Sequence, residues 1–224
     1  MSNILLFLEK QRRDLLRDFT EGNSCFIALS IADLAWGQEE EGWRIDSLPG
    51  RAQANAFVIQ KRRDLPTECW VRWNYSRSRD AFQVFLTRYF SEYDLALDKS
   101  VQVDHLLPKC RFKIGAPYFV RLHLVIRNVN ASHGAGLERD FYPKESEKEP
   151  CGAIRMSWIT YCKAQGICLP GKNAGALALR AWAHEQGSKF SRESGENPLL
   201  TCHVFLSVLH LGYTGRYSGD QDHS

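Results

Sequence analysis

Residues 101–141 read VQVDHLLPKCRFKIGAPYFVRLHLVIRNVNASHGAGLERDF. This stretch begins with a short segment of alternating apolar residues that ends in Asp104 and His105. An aliphatic, β-branched segment follows at 120–129, and the sequence becomes polar at 130–134, where a short helix can begin. The predicted order is therefore strand, loop, strand, helix, with the polar side chains concentrated at the ends of the elements.

The Asp-His pair carries the side chains best suited to acid–base chemistry and cation binding. The imidazole of His105 titrates near neutral pH and suits a general base. The carboxylate of Asp104 is a hard oxygen ligand. Adjacent residues on a regular strand point to opposite faces, so both side chains reach one site only if the chain bends there. Pro108 favours such a break, because proline cannot donate a hydrogen bond to a neighbouring strand.

Asn130 and His133 are three residues apart, so they lie on one face if a helix begins there. Because oxygen ligands dominate this set, it favours a magnesium-like cation over a soft metal. Two other interpretations stay open. Asn130 is also among the residues preferred at a helix N-cap. His123, which alternates with Arg121 and Val125, is typical of a partly buried strand residue.

These residues resemble the HNH, or His-Me finger (ββα-metal), endonucleases, through V-D-H-L-L-P followed by L-V-I-R-N-V-N-A-S-H-G. The resemblance implies that His105 is the general base and that Asp104 and Asn130 hold one divalent ion, Mg²⁺ or alternatively Mn²⁺. It implies that His133 binds this ion or the scissile phosphate. Many members have an asparagine that opens the second strand. Here residues 120–123 read VRLH, so the residue that orients His105 is not identified.

The activity that the resemblance implies is metal-dependent hydrolysis of DNA phosphodiester bonds, with RNA as an alternative, in a defence, mobile-element or toxin-type nuclease. Basic residues near the site are candidates for nucleic-acid contacts: Lys109, Arg111, Lys113, Arg121 and Arg127. Scattered charges on a solvated loop are the other interpretation of this set. The competing function is a catalytically inactive module with the HNH fold that binds nucleic acid or protein.

A second group of basic residues lies between 61 and 79, interleaved with aromatic residues. Its members are Lys61, Arg62, Arg63, Arg72, Arg77 and Arg79, with Trp70, Trp73 and Tyr75 among them. Such a group can bind nucleic acid through phosphate contacts and stacking. Aromatic packing covered by the stems of the arginines explains the pattern equally well.

The composition is that of an ordinary globular protein, with 224 residues, 44% hydrophobic and 25% charged residues, and a net charge of +3. The seven cysteines include no Cys-x-x-Cys pair, so we expect no structural zinc. We expect the thiols to be reduced and the protein to be cytoplasmic. No apolar run approaches the length of a membrane span, so we expect no membrane partner.

The predicted fold class is α+β, with a ββα-metal finger embedded between N- and C-terminal helical segments. Residues 1–98 are predicted to be mainly helical with a short strand element, and 99–145 to form the finger. Residues 146–212 are predicted to be helical, and 213–224 to be a disordered tail. Helices are predicted at 3–19, 154–165, 174–186 and 198–211. A further helix is predicted to begin at Asp80, which would form a capping box with Gln83. The helical flanks are candidates for binding a protein partner.

Overall fold

The structure, a computed structural model, describes residues 3–22, 24–37, 43–61, 67–106, 118–134, 152–171 and 174–213. These residues include both α-helices and an antiparallel sheet, so the predicted α+β class is confirmed. The α-helices are α1 (Asn3–Thr20), α2 (Ser78–Tyr89), α3 (Arg127–Gly134), α4 (Trp158–Ala164), α5 (Ala176–Ser194) and α6 (Pro198–Tyr213). Two 3-10 helices lie at Ala32–Gly37 and Ser91–Tyr93.

In the described part of the chain, seven strands form one sheet. They are β1 (Cys25–Ala28), β2 (Arg44–Ser47), β3 (Ala56–Gln60), β4 (Thr67–Arg72), β5 (Val101–Asp104), β6 (Phe119–Ile126) and β7 (Ala153–Arg155). The order is β2-β3-β4-β6-β1-β7, all pairs are antiparallel, and β5 pairs with β6 outside this series. The strand β6 is thus central, because it pairs with β1, β4 and β5.

Both faces of the sheet are buried. On β3, Val58 belongs to the main core while Phe57 and Ile59 belong to a second, smaller core, as expected where successive side chains point to opposite faces. The strand β6 repeats this division, with Leu122 in the main core and Phe119 in the second. Helix α1 covers the main core, and the side-chain amide of Gln11 bonds to both the N–H and the C=O of Leu124 on β6.

The N-terminal region contains more strand than the one short strand element that the sequence predicts. Residues 1–98 supply four strands, β1 to β4, beside α1 and α2. Two of these strands, β1 and β3, are buried on both faces and lack the alternation of apolar and polar residues that marks a strand. A short apolar run of this kind cannot be distinguished from a buried helix segment by periodicity alone. The sequence predicts that helical segments flank the strand pair β5–β6. In the structure this pair also belongs to the sheet, because β6 pairs with β1 and β4.

Helix α2 begins without the predicted capping box. It starts at Ser78, and Arg77 at the N-cap position makes no side-chain capping hydrogen bond. The side chain of Gln83 instead bonds to the backbone of Leu95 and Leu97, which ties the following segment to the helix. The helix buries Phe82, Phe85 and Leu86.

The C-terminal helices differ from prediction at their ends. Helix α4 begins only after Ser157, whose hydroxyl accepts from the N–H of Thr160, because residues 153–155 form β7. Helix α5 continues past Gly187 to Ser194 and ends at Gly195, which has a φ of 79°. Gly187 permits close packing instead, because a Cβ there would lie 2.8 Å from the backbone of Cys202 on α6.

The last predicted segment, the tail from 213 to 224, lies almost entirely outside the described residues. Within the ranges that are described, none of the helices combines the length and the apolar character that crossing a membrane requires.

Candidate functional site

The elements β5, β6 and α3 follow one another as strand, strand and helix, in the predicted order, and the predicted loop at 107–117 lies outside the described residues. The two strands pair in antiparallel register, with Asp104 opposite His123 and Val101 opposite Ile126. Helix α3 begins at Arg127, directly after β6. This connectivity sets Asp104 and His105 at the end of one strand and Asn130 and His133 on the helix that follows the other.

The chain bends immediately after β5. Leu106 is buried and has a φ of 58°, a left-handed conformation that is uncommon for a residue with a branched side chain. Its N–H donates to Oδ1 of Asp104 at 2.6 Å, which closes a local turn. Such a strained backbone persists only where the surrounding contacts hold it, and it is common next to functional side chains.

A buried lysine contacts the carboxylate of Asp104. The Nζ atom of Lys163 on α4 lies 2.8 Å from Oδ1, and the lysine side chain is 3% exposed. The carboxylate is 18% exposed, so one side of it remains within reach of solvent. The same oxygen, Oδ1, therefore serves both the ammonium group and the N–H of Leu106. Charge neutralisation by Lys163 offsets the cost of partly burying Asp104.

His105 contacts the first turn of α2. Its Nε2 lies 3.3 Å from Oγ of Ser78, and Oγ itself donates to the carbonyl of Tyr75 at 2.7 Å. Since the hydroxyl hydrogen of Ser78 is used in that second bond, we assign Nε2–H of His105 as the donor to Oγ. Ser78 thus holds the ring of His105 against the start of α2.

Asn130 lies inside α3 rather than at its N-cap, so the capping interpretation is wrong. Its Nδ2 donates to Oε1 of Gln102 at 2.6 Å. Gln102 and Asp104 are two residues apart on β5 and therefore share a face of the strand. The amide of Asn130 is thus held against the strand face that carries Asp104, which leaves its carbonyl oxygen as the side chain's acceptor.

His133 is fully buried, so a direct contact with a phosphate is not made in this conformation. Its Nε2 lies 2.9 Å from the carbonyl oxygen of Ile167, which requires a proton on Nε2, and its Nδ1 is buried with no hydrogen-bond partner. Burial lowers the pKa of His133 to about 4, although the bond to Ile167 and the charge of Asp104 oppose the shift. The side chain is therefore neutral at pH 7, and it links α3 to the segment after α4.

His123 is buried in β6, as the sequence predicts for a strand residue. Neither ring nitrogen has a hydrogen-bond partner. Burial, reinforced by the charge of Arg121, lowers its pKa well below the ordinary value, so the ring is neutral.

The predicted contact of Arg121 with nucleic acid is wrong for this conformation, because the residue is 4% exposed. Its guanidinium lies 2.8 Å from Glu68 and 3.3 Å from Asp18, and Lys61 pairs with the same two carboxylates. These four residues form a buried cluster of two cations and two anions. Since Lys61 also packs over the ring of Trp43, the packing interpretation holds for this member of the second basic group.

The remaining basic residues that we predict to contact nucleic acid are either exposed or outside the described residues. Arg127 is exposed at the start of α3, where a phosphate contact is possible. Lys109, Arg111 and Lys113 lie outside the described residues, as do Arg62 and Arg63 of the second group.

Whether a divalent cation fits depends on the ligands that the described residues offer. Across these ranges, no group of three or more His, Cys, Asp or Glu side chains is arranged to hold a metal ion. Magnesium, however, usually keeps several waters and binds proteins through one or two oxygen ligands. The carboxylate of Asp104 and Oδ1 of Asn130 supply oxygens of that kind.

Three residues of this site are not identified from the sequence: Ser78, Gln102 and Lys163. Ser78 and Lys163 reach the site only through the packing of α2 and α4. Gln102 is the exception in principle, because strand alternation places it on the same face as Asp104. Comparison of the chain with protein-family models, with curated proteins and with solved structures finds no significant match.

Proposed function

We propose that the protein is a metal-dependent endonuclease that hydrolyses phosphodiester bonds of DNA in the cytoplasm, with RNA as the alternative substrate. The observation that carries this proposal is the β5–β6–α3 arrangement. It joins Asp104 and His105 at a strained bend, and it holds Asn130 against the strand face that carries Asp104. A defence, mobile-element or toxin-type role remains part of the proposal through the resemblance to HNH endonucleases.

In this proposal His105 accepts a proton from the attacking water. An imidazole suits this step because it exchanges protons near neutral pH. Ser78 acts as a positioning residue, since its Oγ holds Nε2 and fixes the orientation of the ring.

Asp104 and Asn130 would hold the cation, which we propose to be Mg²⁺ or alternatively Mn²⁺. Such an ion would offset the negative charge that gathers on the phosphate and the leaving oxygen. Lys163 acts on the same carboxylate, because its ammonium group lies 2.8 Å from Oδ1 and fixes the orientation of Asp104. Arg127 is the exposed basic residue of this set that we propose to contact DNA.

The second candidate is a module that keeps this fold without turnover and binds nucleic acid or a protein, the latter through the helical flanks. The observation in its favour is the ion pair between Lys163 and Asp104. The ammonium group already neutralises the carboxylate to which a cation would bind. In such a module the pair would be a structural element and the site would need no metal.

The test is cleavage of supercoiled plasmid, linear DNA, single-stranded DNA and RNA by purified protein, with Mg²⁺, with Mn²⁺ and with a chelator. Nicking or cleavage of DNA that a chelator abolishes is expected. Cleavage of RNA alone would transfer the proposal to the alternative substrate. Nucleic-acid binding without cleavage under any of these conditions would favour the module and contradict the nuclease.

A further inference from the structure

An open groove runs along α2, close to the residue that orients His105. It has a volume of about 560 Å³. Its walls are the turn at 49–51 on one side and an exposed face of α2 on the other, with the lining residues Pro49, Arg51, Arg77, Asp80, Gln83, Val84, Thr87 and Arg88. We call this feature the α2 groove.

The charge in the α2 groove is positive. Three of its lining residues are arginines, and its one carboxylate, Asp80, is paired with Arg77 at 3.1 Å. Among the described residues, neither Arg51 nor Arg88 forms an ion pair. Two guanidinium groups therefore border the groove without a carboxylate to neutralise them, which favours an anionic occupant.

The chemistry of these groups suits phosphates in particular. A guanidinium presents its N–H donors as a planar fork that matches two oxygens of one phosphate. Arg51 and Arg88 both line the groove, the first from the turn and the second from the helix. With 12 residues, α2 is about 18 Å long, which is about five times the spacing of roughly 3.4 Å between phosphates along the axis for one strand of B-form DNA. The groove thus suits an extended polyanion better than a single compact anion.

The position of the α2 groove relates it to the candidate site. Arg77 lines the groove, and the next residue, Ser78, turns inward and contacts His105 at 3.3 Å. The same turn of chain thus contributes one residue to the groove and one to the site. Arg79 takes no part in the groove, because it donates to the carbonyl oxygens of Leu97 and Asp98.

We propose that the α2 groove binds the sugar–phosphate backbone of the nucleic-acid strand, with Arg51 and Arg88 as phosphate contacts. This inference rests on the proposed nuclease function and names the path by which the substrate reaches His105. Backbone contacts carry no base preference, so binding in the groove is expected to be independent of sequence and sensitive to salt.

The experiment measures binding of a labelled single-stranded DNA by fluorescence anisotropy in the presence of a chelator, so that cleavage does not interfere. The double variant Arg51→Gln/Arg88→Gln is compared with wild type over a series of salt concentrations. We expect the affinity to fall about tenfold and the slope of log K against log salt to decrease in size by about 1.4, for two lost phosphate contacts. The matched control is Arg180→Gln/Arg192→Gln, which removes two exposed arginines of α5.

Unchanged affinity and salt slope in the groove variant would overturn the proposal, as would an equal loss in the α5 control. Displacement of the DNA by polyglutamate at equal charge concentration would also overturn it, in favour of an acidic protein partner. Failure of the nuclease is a separate outcome. If wild type binds through the groove but cleaves no substrate with any metal, the proposed function fails and the α2 groove stands as a nucleic-acid site.

Discussion

The ammonium group of Lys163 lies 2.8 Å from Oδ1 of Asp104, although α4 and β5 are distant in the sequence. The lysine is 3% exposed and the aspartate 18%. The carboxylate at the bend after β5 is thus neutralised by a cation that the chain itself supplies. This pair fixes one oxygen of Asp104 and positions α4 against the end of the strand.

Lys163→Met should be more destabilising in wild type than in an Asp104→Asn background. The single change leaves a partly buried carboxylate without its cation, whereas the double change removes both charges. A double-mutant cycle by urea denaturation should give a coupling free energy of about 1–3 kcal/mol. Additive effects of the two substitutions would show that the pair contributes nothing to stability.

Ser78→Ala should lower kcat about tenfold with little change in KM, because the ring of His105 loses the oxygen that orients it. Ser78→Thr keeps the hydroxyl and should restore part of the activity. Ser76→Ala is the matched control, since Ser76 is exposed in the preceding turn. A loss in Ser78→Ala that threonine does not restore would assign Ser78 a role in folding only.

Acidification should destabilise the protein through His133. Its pKa is about 4 in the folded state and about 6.5 when unfolded, so the unfolded state binds the proton first as pH falls below 6.5. The stability that the neutral ring provides is complete above pH 6.5 and is lost between 6.5 and 4. His133→Gln should therefore reduce the stability difference between pH 7 and pH 5 by about 2 kcal/mol, measured by urea denaturation. An unchanged difference would mean that His133 titrates normally.

Arg121→Met should destabilise the protein by about 3–5 kcal/mol, because it leaves Asp18 and Glu68 buried with one cation in place of two. Thermal denaturation measures this change, and Arg121→Lys is the milder variant if the first does not fold. DNA affinity should not change. Arg127→Met is the control, with a stability change within about 0.5 kcal/mol and weaker DNA binding. Weaker binding by Arg121→Lys at unchanged stability would instead indicate a nucleic-acid contact.

The order of elements around the site could be predicted because each has a local signature. The alternation of apolar residues at 101–104 identified β5, and the aliphatic segment at 120–129 identified β6. The change to polar residues after this segment identified α3. The sheet as a whole could not be predicted. Strands such as β1 and β3 are buried on both faces, so their burial depends on cores that form only when distant segments meet.

The same limit applies to the site. Asp104, His105 and Asn130 stand out by residue type and spacing, but nothing near Ser78 or Lys163 distinguishes them from other serines and lysines. The charge of Arg121 predicted a nucleic-acid contact, but in the folded chain this residue pairs with Asp18 of α1 and Glu68 of β4. Buried ion pairs of this kind depend on tertiary packing, which no local sequence pattern records.

The most direct measurement compares plasmid cleavage by wild type, His105→Ala and His184→Ala in Mg²⁺ and Mn²⁺. His184 is exposed on α5 and serves as the matched histidine control. If His105 is the general base, its loss should reduce the rate by about 10²-fold or more while His184→Ala cleaves like wild type. Cleavage that survives in His105→Ala at the wild-type rate would contradict the assignment of this site as the nuclease centre.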